Sequence, residues 1–197
     1  MPMTYPFTAI RDDEVPAARE RTWQHALDTY ASETNKVASV WHAFAGVDLA
    51  WKPHDRSSSI ASVFRHQLLS ERRFFAEFLG VPEPDAANVL PPEVNVDTCL
   101  QRLVALARPR LTHLAGQTTD WWLTRTAFFD VDRERIWIFW RRVLHTAHHR
   151  TQLTVYLRLL DRSVPATYGP TADVTWDGAD PTTSIAAASR KTPPVAN

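Results

Sequence analysis

"DRERIWIFWRRVLHTAHHRTQLTVYLRLL", residues 132–160, decides how this chain folds. Trp140, Leu144, Leu153 and Leu157 recur at helical spacing, and no glycine or proline interrupts the run. The stretch therefore predicts one continuous helix from near Asp132 to about Leu160. Three of the eight histidines of the chain fall inside it: His145, His148 and His149. Imidazoles at i and i+4 stand one turn apart and can share a metal ion, so His145 and His149 form a candidate chelating pair. Helical steps onward from His145 reach His149, Gln152 and Tyr156, a polar-tipped stripe on an otherwise apolar helix. The spacing alone is weak evidence. Thr146 occupies the position where an HExxH motif carries its glutamate base, so zincin chemistry is not expected.

Further segments of the same character lie upstream. The chain holds only five glycines, and most of its 14 prolines sit in "WKP", "VPEP", "LPPE" and the C-terminal tail. Between these breaks run three more amphipathic stretches. The first extends from about Glu14 to Phe44, with Asp12 or Asp13 as its cap and Pro16 in its first turn. The second, "IASVFRHQLLSERRFFAEFL", is capped by Ser58 or Ser59 and stopped by Gly80. It carries His66, an imidazole on a different helix that would complete a three-histidine set. The third runs from Val96 to Leu114, entered through Asn95 or Asp97. "AGQTTDWWLTRTAFFDV" is too aromatic and irregular for a clean helix, and no convincing strand alternation occurs. An all-α four-helix bundle is expected, forming a single domain over residues 1–176. An extended C-terminal strap would be anchored by Tyr168 and Trp176, and residues 177–197 read as a mobile tail.

Composition narrows the function. Lys plus Arg and Asp plus Glu both total 22, which argues against a duplex-binding surface. The single cysteine, Cys99, cannot form an intramolecular disulfide and suits a reducing compartment. No signal-peptide pattern and no bilayer-length apolar run is present, so a cytoplasmic protein with neither nucleic-acid nor membrane partner is expected.

Three stretches together resemble a known family. "DLAWKPHDRSSSIASVFRHQLLSERRFF", "WRRVLHTAHHRTQLTVYLR" and "VPATYGPTADVTW" follow, in order and spacing, the DinB/YfiT-like metalloenzymes. The shared features are a tryptophan–proline turn, a serine-capped helix with a histidine two turns in, and a late HxxxHRGQL-type helix. A YGP segment follows that helix. Thr151 departs from the pattern, which commonly has glycine there. The resemblance implies an up-down-down-up bundle, a homodimer, and a divalent metal ion held by His66, His145 and His149. His148 would be a neighbour. Zinc and nickel lead as the metal, with iron and manganese also compatible with imidazole. The family further implies a small-molecule substrate and a low-molecular-weight thiol, hence an S-transferase or a thiol-dependent isomerase. Gln152 could orient a water or substrate, and Arg150 could hold a substrate carboxylate. The alternatives are a metal-dependent hydrolase, with Asp173 as its base, and a non-catalytic dimeric binding protein. The Trp121–Trp122 and Phe128–Phe129 pairs read as core, or as walls of a substrate pocket.

Overall fold

A computed structural model describes residues 8–169 and 171–173, so Trp176 and the expected tail lie outside the described residues. Helices dominate, joined by one small two-stranded sheet: α1 (Gln24–His42), α2 (Ile60–Arg73), α3 (Val96–Ala115), α4 (Thr119–Leu123), β1 (Arg125–Phe128), β2 (Val131–Glu134) and α5 (Arg135–Leu159). No helix among the described residues is long and apolar enough to cross a membrane.

Two caps follow sequence chemistry directly. Ser59 Oγ accepts the Ser62 N–H at the start of α2 (3.2 Å), and Asn95 Oδ1 accepts the Thr98 N–H at the start of α3 (2.9 Å). Beyond Arg73 the second helix widens into a π-type turn over Phe74–Phe78 and ends at Gly80, whose φ of +70° favours glycine.

Two expected boundaries are corrected. The first helix does not begin at Glu14, and Asp12 and Asp13 do not cap it. Residues 15–20 are held instead by other partners. Ala18 N donates to Gln24 Oε1 (2.7 Å) and Arg19 N to the Ala115 carbonyl at the end of α3 (2.7 Å). Those donors are committed to tertiary bonds, so α1 starts only at Gln24. The last helix starts at Arg135 and not at Asp132, because residues 131–134 pair antiparallel with 125–128, from Arg125↔Glu134 to Phe128↔Val131. This hairpin is too short to show a period in sequence. What fixes it is Phe128, whose ring packs on Phe74 and Phe78 at 5.6 and 4.9 Å.

The core is divided along the bundle. One apolar cluster joins Leu27, Phe75, Leu111, Trp122 and Phe139. The other joins Trp41, Phe64, Leu103, Leu153 and Leu157. Around the junction of the two clusters each long helix carries buried polar residues: Glu33, Thr34 and Lys36 on α1, Gln67 and Glu71 on α2, Arg110 on α3, Arg142 and Arg150 on α5. These pair across the helices. Arg142 Nη2 lies 3.2 Å from Glu71 Oε2, Arg110 Nη1 is 3.2 Å from Glu71 Oε1, and Arg150 is ion-paired with Glu33. A cavity of about 10 Å³, bordered by Gln67, Glu71, Arg142 and Thr146, lies within this layer.

Removing one member of a buried pair leaves an uncompensated charge. Glu71→Ala should lower unfolding free energy by about 3–5 kcal/mol, against about 1 kcal/mol for the cap change Ser59→Ala. Urea denaturation of the two variants, compared at equal slope, measures this ordering.

Candidate metal centre

His66 stands on the exposed side of α2, while His145 and His149 are half-buried on α5. The packing of α2 against α5 brings all three together. His66 Nε2 and His145 Nε2 are 3.4 Å apart, and one ring nitrogen from each histidine lies within 4.8 Å of the others. Ring centroids are separated by 4.5 Å (His66–His149), 4.7 Å (His145–His149) and 5.2 Å (His66–His145). Metal–imidazole bonds of about 2.0–2.1 Å in tetrahedral geometry put neighbouring donor atoms about 3.4 Å apart. The donor set and its spacing fit a divalent cation.

The electrostatics keep the rings neutral. Burial is the largest cause of a lowered pKa in all three. The Arg142 guanidinium adds to it, second in rank for His66 and His145. His145 is pushed down to about 3, with His149, His66 and Arg141 contributing after Arg142. For His149 the Gln152 hydrogen bond acts in the opposite direction. Neutral imidazoles offer a lone pair to an incoming cation without first losing a proton.

A second layer of side chains orients the rings. His149 Nδ1 lies 3.0 Å from Gln152 Oε1, and the Gln152 amide donates to Tyr156 Oη (2.9 Å), which donates to the Ser58 carbonyl (3.1 Å). Both ends of the Gln152 amide are therefore engaged in holding His149, and Tyr156 is a buried anchor. On the other side, Arg142 Nη1 donates to His145 Nδ1 (2.8 Å), with Ser70 Oγ 3.4 Å from the same nitrogen. The Phe74 ring stacks on His145 at 6.0 Å and 25°. It continues through Phe128 to Phe129 and Trp137, which are 61% and 41% exposed.

Other sequence candidates are placed elsewhere. Arg150 is turned into the bundle, buried against Glu33 and under the Tyr168 ring. It is not with the histidines. His148 is exposed, its ring 4.9 Å from that of His149, and it does not join the group. Asp173 is bound to Arg158 (2.6 Å) and to the Val164 N–H (2.9 Å). Trp122 is core, stacked with Trp23. Cys99 is buried, and burial pushes its thiol up to about 11, which suits an inert core position.

Sequence reasoning passed over Ser70, Glu71 and Arg142. The signal was available. Glu71 falls on the same inward stripe of α2 as Val63, Phe64, Gln67 and Leu68, and a carboxylate on such a stripe demands a buried cation.

Comparison with known families agrees with this picture: the DinB family model matches residues 19–177. The chain belongs to the DinB family. Neither a search of curated proteins nor a search of solved structures returns a match.

Depressed imidazoles make a testable pH signature. An unfolded histidine titrates near 6.5, and folded His145 titrates only near 3, so acid favours the unfolded chain, which binds more protons. In the metal-free protein, stability should be level above about pH 6.5 and decline between about 6.5 and 5, before the carboxylates titrate. His145→Gln should flatten that decline in urea unfolding at stepped pH.

Proposed function

We propose that this chain binds one divalent cation through His66, His145 and His149 and acts on a low-molecular-weight thiol and a small electrophilic substrate, as an S-transferase or thiol-dependent isomerase. The observation that carries the metal reading is the convergence of three neutral imidazoles from two helices on one point. When bound, a divalent cation with open coordination positions supplies Lewis acidity that lets a thiol lose its proton at neutral pH. The histidines serve as ligands and not as bases. Gln152 keeps the His149 Nδ1 proton facing away from the cluster, leaving Nε2 as the donor atom. The ring series from Phe74 to Trp137 offers an apolar surface beside the site for the body of a substrate.

Choosing thiol over water rests on the family resemblance and on one structural point. A hydrolase needs a general base within hydrogen-bond reach of its water. Among the described residues no carboxylate joins the histidine group. Glu71 is committed to Arg142 and Arg110, and Asp173 to Arg158. The up-down-down-up helix order belongs to the same proposal. In its support, α2 and α3 both begin in the cluster of Trp41 and Leu153 and both end toward that of Leu27 and Phe139, whereas α1 and α5 run the other way. A homodimer is also proposed, and Leu144, Val155 and Leu159 form an exposed apolar stripe on α5 suited to a second copy.

Metal analysis of purified protein should find about one divalent ion per chain, with His66→Ala and His149→Ala each losing most of it. Equal metal in all three would remove the site. Thiol consumption against a panel of electrophiles should depend on that metal; turnover unaffected by chelation would remove the proposed reaction.

A further inference from the structure

The two α5 histidines are not held alike, and this difference bears on how the site is loaded. A metal-bound imidazole needs a lone pair on the ligating nitrogen and a proton on the other, which it normally donates to an acceptor. His149 meets this rule, because its Nδ1 faces the Gln152 carbonyl oxygen. His145 does not. Its Nδ1 faces Arg142 Nη1 at 2.8 Å, and a guanidinium only donates. Nδ1 is thus the acceptor, and neutral His145 carries its proton on Nε2, the atom that points 3.4 Å away at His66 Nε2.

Arg142 cannot readily move aside. It is 1% exposed, and its Nη2 donates to the Gln67 carbonyl (3.1 Å) and to Glu71 (3.2 Å). One acceptor lies within reach of His145 Nδ1. Ser70 Oγ is 3.4 Å from it and 3.4 Å from Arg142 Nη1. Ser70 follows His66 by one turn of α2, so it sits at the level of the cluster.

Resting on the three-histidine site proposed above, we propose that Arg142 and Ser70 make His145 a two-state ligand. Arg142 holds the metal-free imidazole in its Nε2–H tautomer; when a cation takes Nε2, the ring gives up the Arg142 contact and its Nδ1–H donates a hydrogen bond to Ser70 Oγ. The proton balance is zero: His145 gives one proton from Nε2 to solvent and takes one at Nδ1. Ser70 is then a positioning residue, and the affinity of the site is set by the competition between a fixed donor and a hydroxyl acceptor for one ring nitrogen.

The test uses the full chain, stripped by chelator and reloaded with zinc alone. Long-range ¹H–¹⁵N spectra of ¹⁵N-histidine protein, with His145 assigned by its loss in His145→Gln, report the tautomer. The expected result is Nε2–H without zinc and Nδ1–H with it. Zinc affinity from chelator competition should fall about tenfold or more in Ser70→Ala and return in Ser70→Thr, which restores the hydroxyl. A merely structural serine would change stability and leave affinity and tautomer alone. If wild type binds zinc but His145 is already Nδ1–H when stripped, or Ser70→Ala binds equally well, this inference falls and the site stands. If wild type binds no zinc at that site, both fall.

Discussion

Two buried arginines on α5 fix the level at which this bundle presents its histidines. Arg142 reaches across to Glu71 on α2, and Arg150, about two turns later, reaches Glu33 on α1. His145 and His149 lie between them in sequence. Buried ion pairs contribute little net stability against an apolar alternative, but breaking one is costly. Sliding α5 by a turn would strand two guanidiniums in a low-dielectric interior and take from Glu71 and Glu33 one of the two cations that each faces. The polar layer between the two apolar clusters thus acts as a register lock. Apolar packing alone tolerates such slips far better, because one leucine can replace another.

The lock matters for the site because the three imidazoles come from two helices far apart in sequence. His66 is set by its position two turns after the Ser59 cap, and His145 by the Arg142 contacts. Their nitrogens come within 3.4 Å only if α2 and α5 share a level. The π-type turn after Arg73 lies next to this contact and carries Phe74, whose ring backs His145. Such turns are frequent at functional sites, since an extra residue re-aims the side chains that follow. Here the re-aimed side chains join Phe128 of the hairpin, continuing the aromatic surface from the histidines to Phe129 and Trp137.

Much of this was legible in the residues. The four long helices, the Ser59 and Asn95 caps and the Gly80 stop follow from periodicity and cap chemistry, whereas the grouping of His66, His145 and His149 is what the family resemblance implied. What was hidden depends on tertiary partners. The N-terminal segment looks helical until Gln24 and the Ala115 carbonyl claim its donors. The hairpin before α5 is four residues a side, shorter than any window that could reveal its period. Arg150, next to His149 in sequence, points the other way, since adjacent helical residues differ by about 100°. Arg142 and Glu71 were the informative charges: Glu71 shows itself on the inward stripe of α2, and Arg142 only through its burial.

The central claim is that the fold holds one divalent ion with three imidazole nitrogens and nothing else from the protein. X-ray absorption at the metal edge of the zinc-loaded chain tests it most directly. The account predicts three imidazole scatterers at about 2.0–2.1 Å, with the remaining shell made of light atoms from solvent. A first shell with fewer than three imidazoles, or one containing sulfur from Cys99, would contradict it.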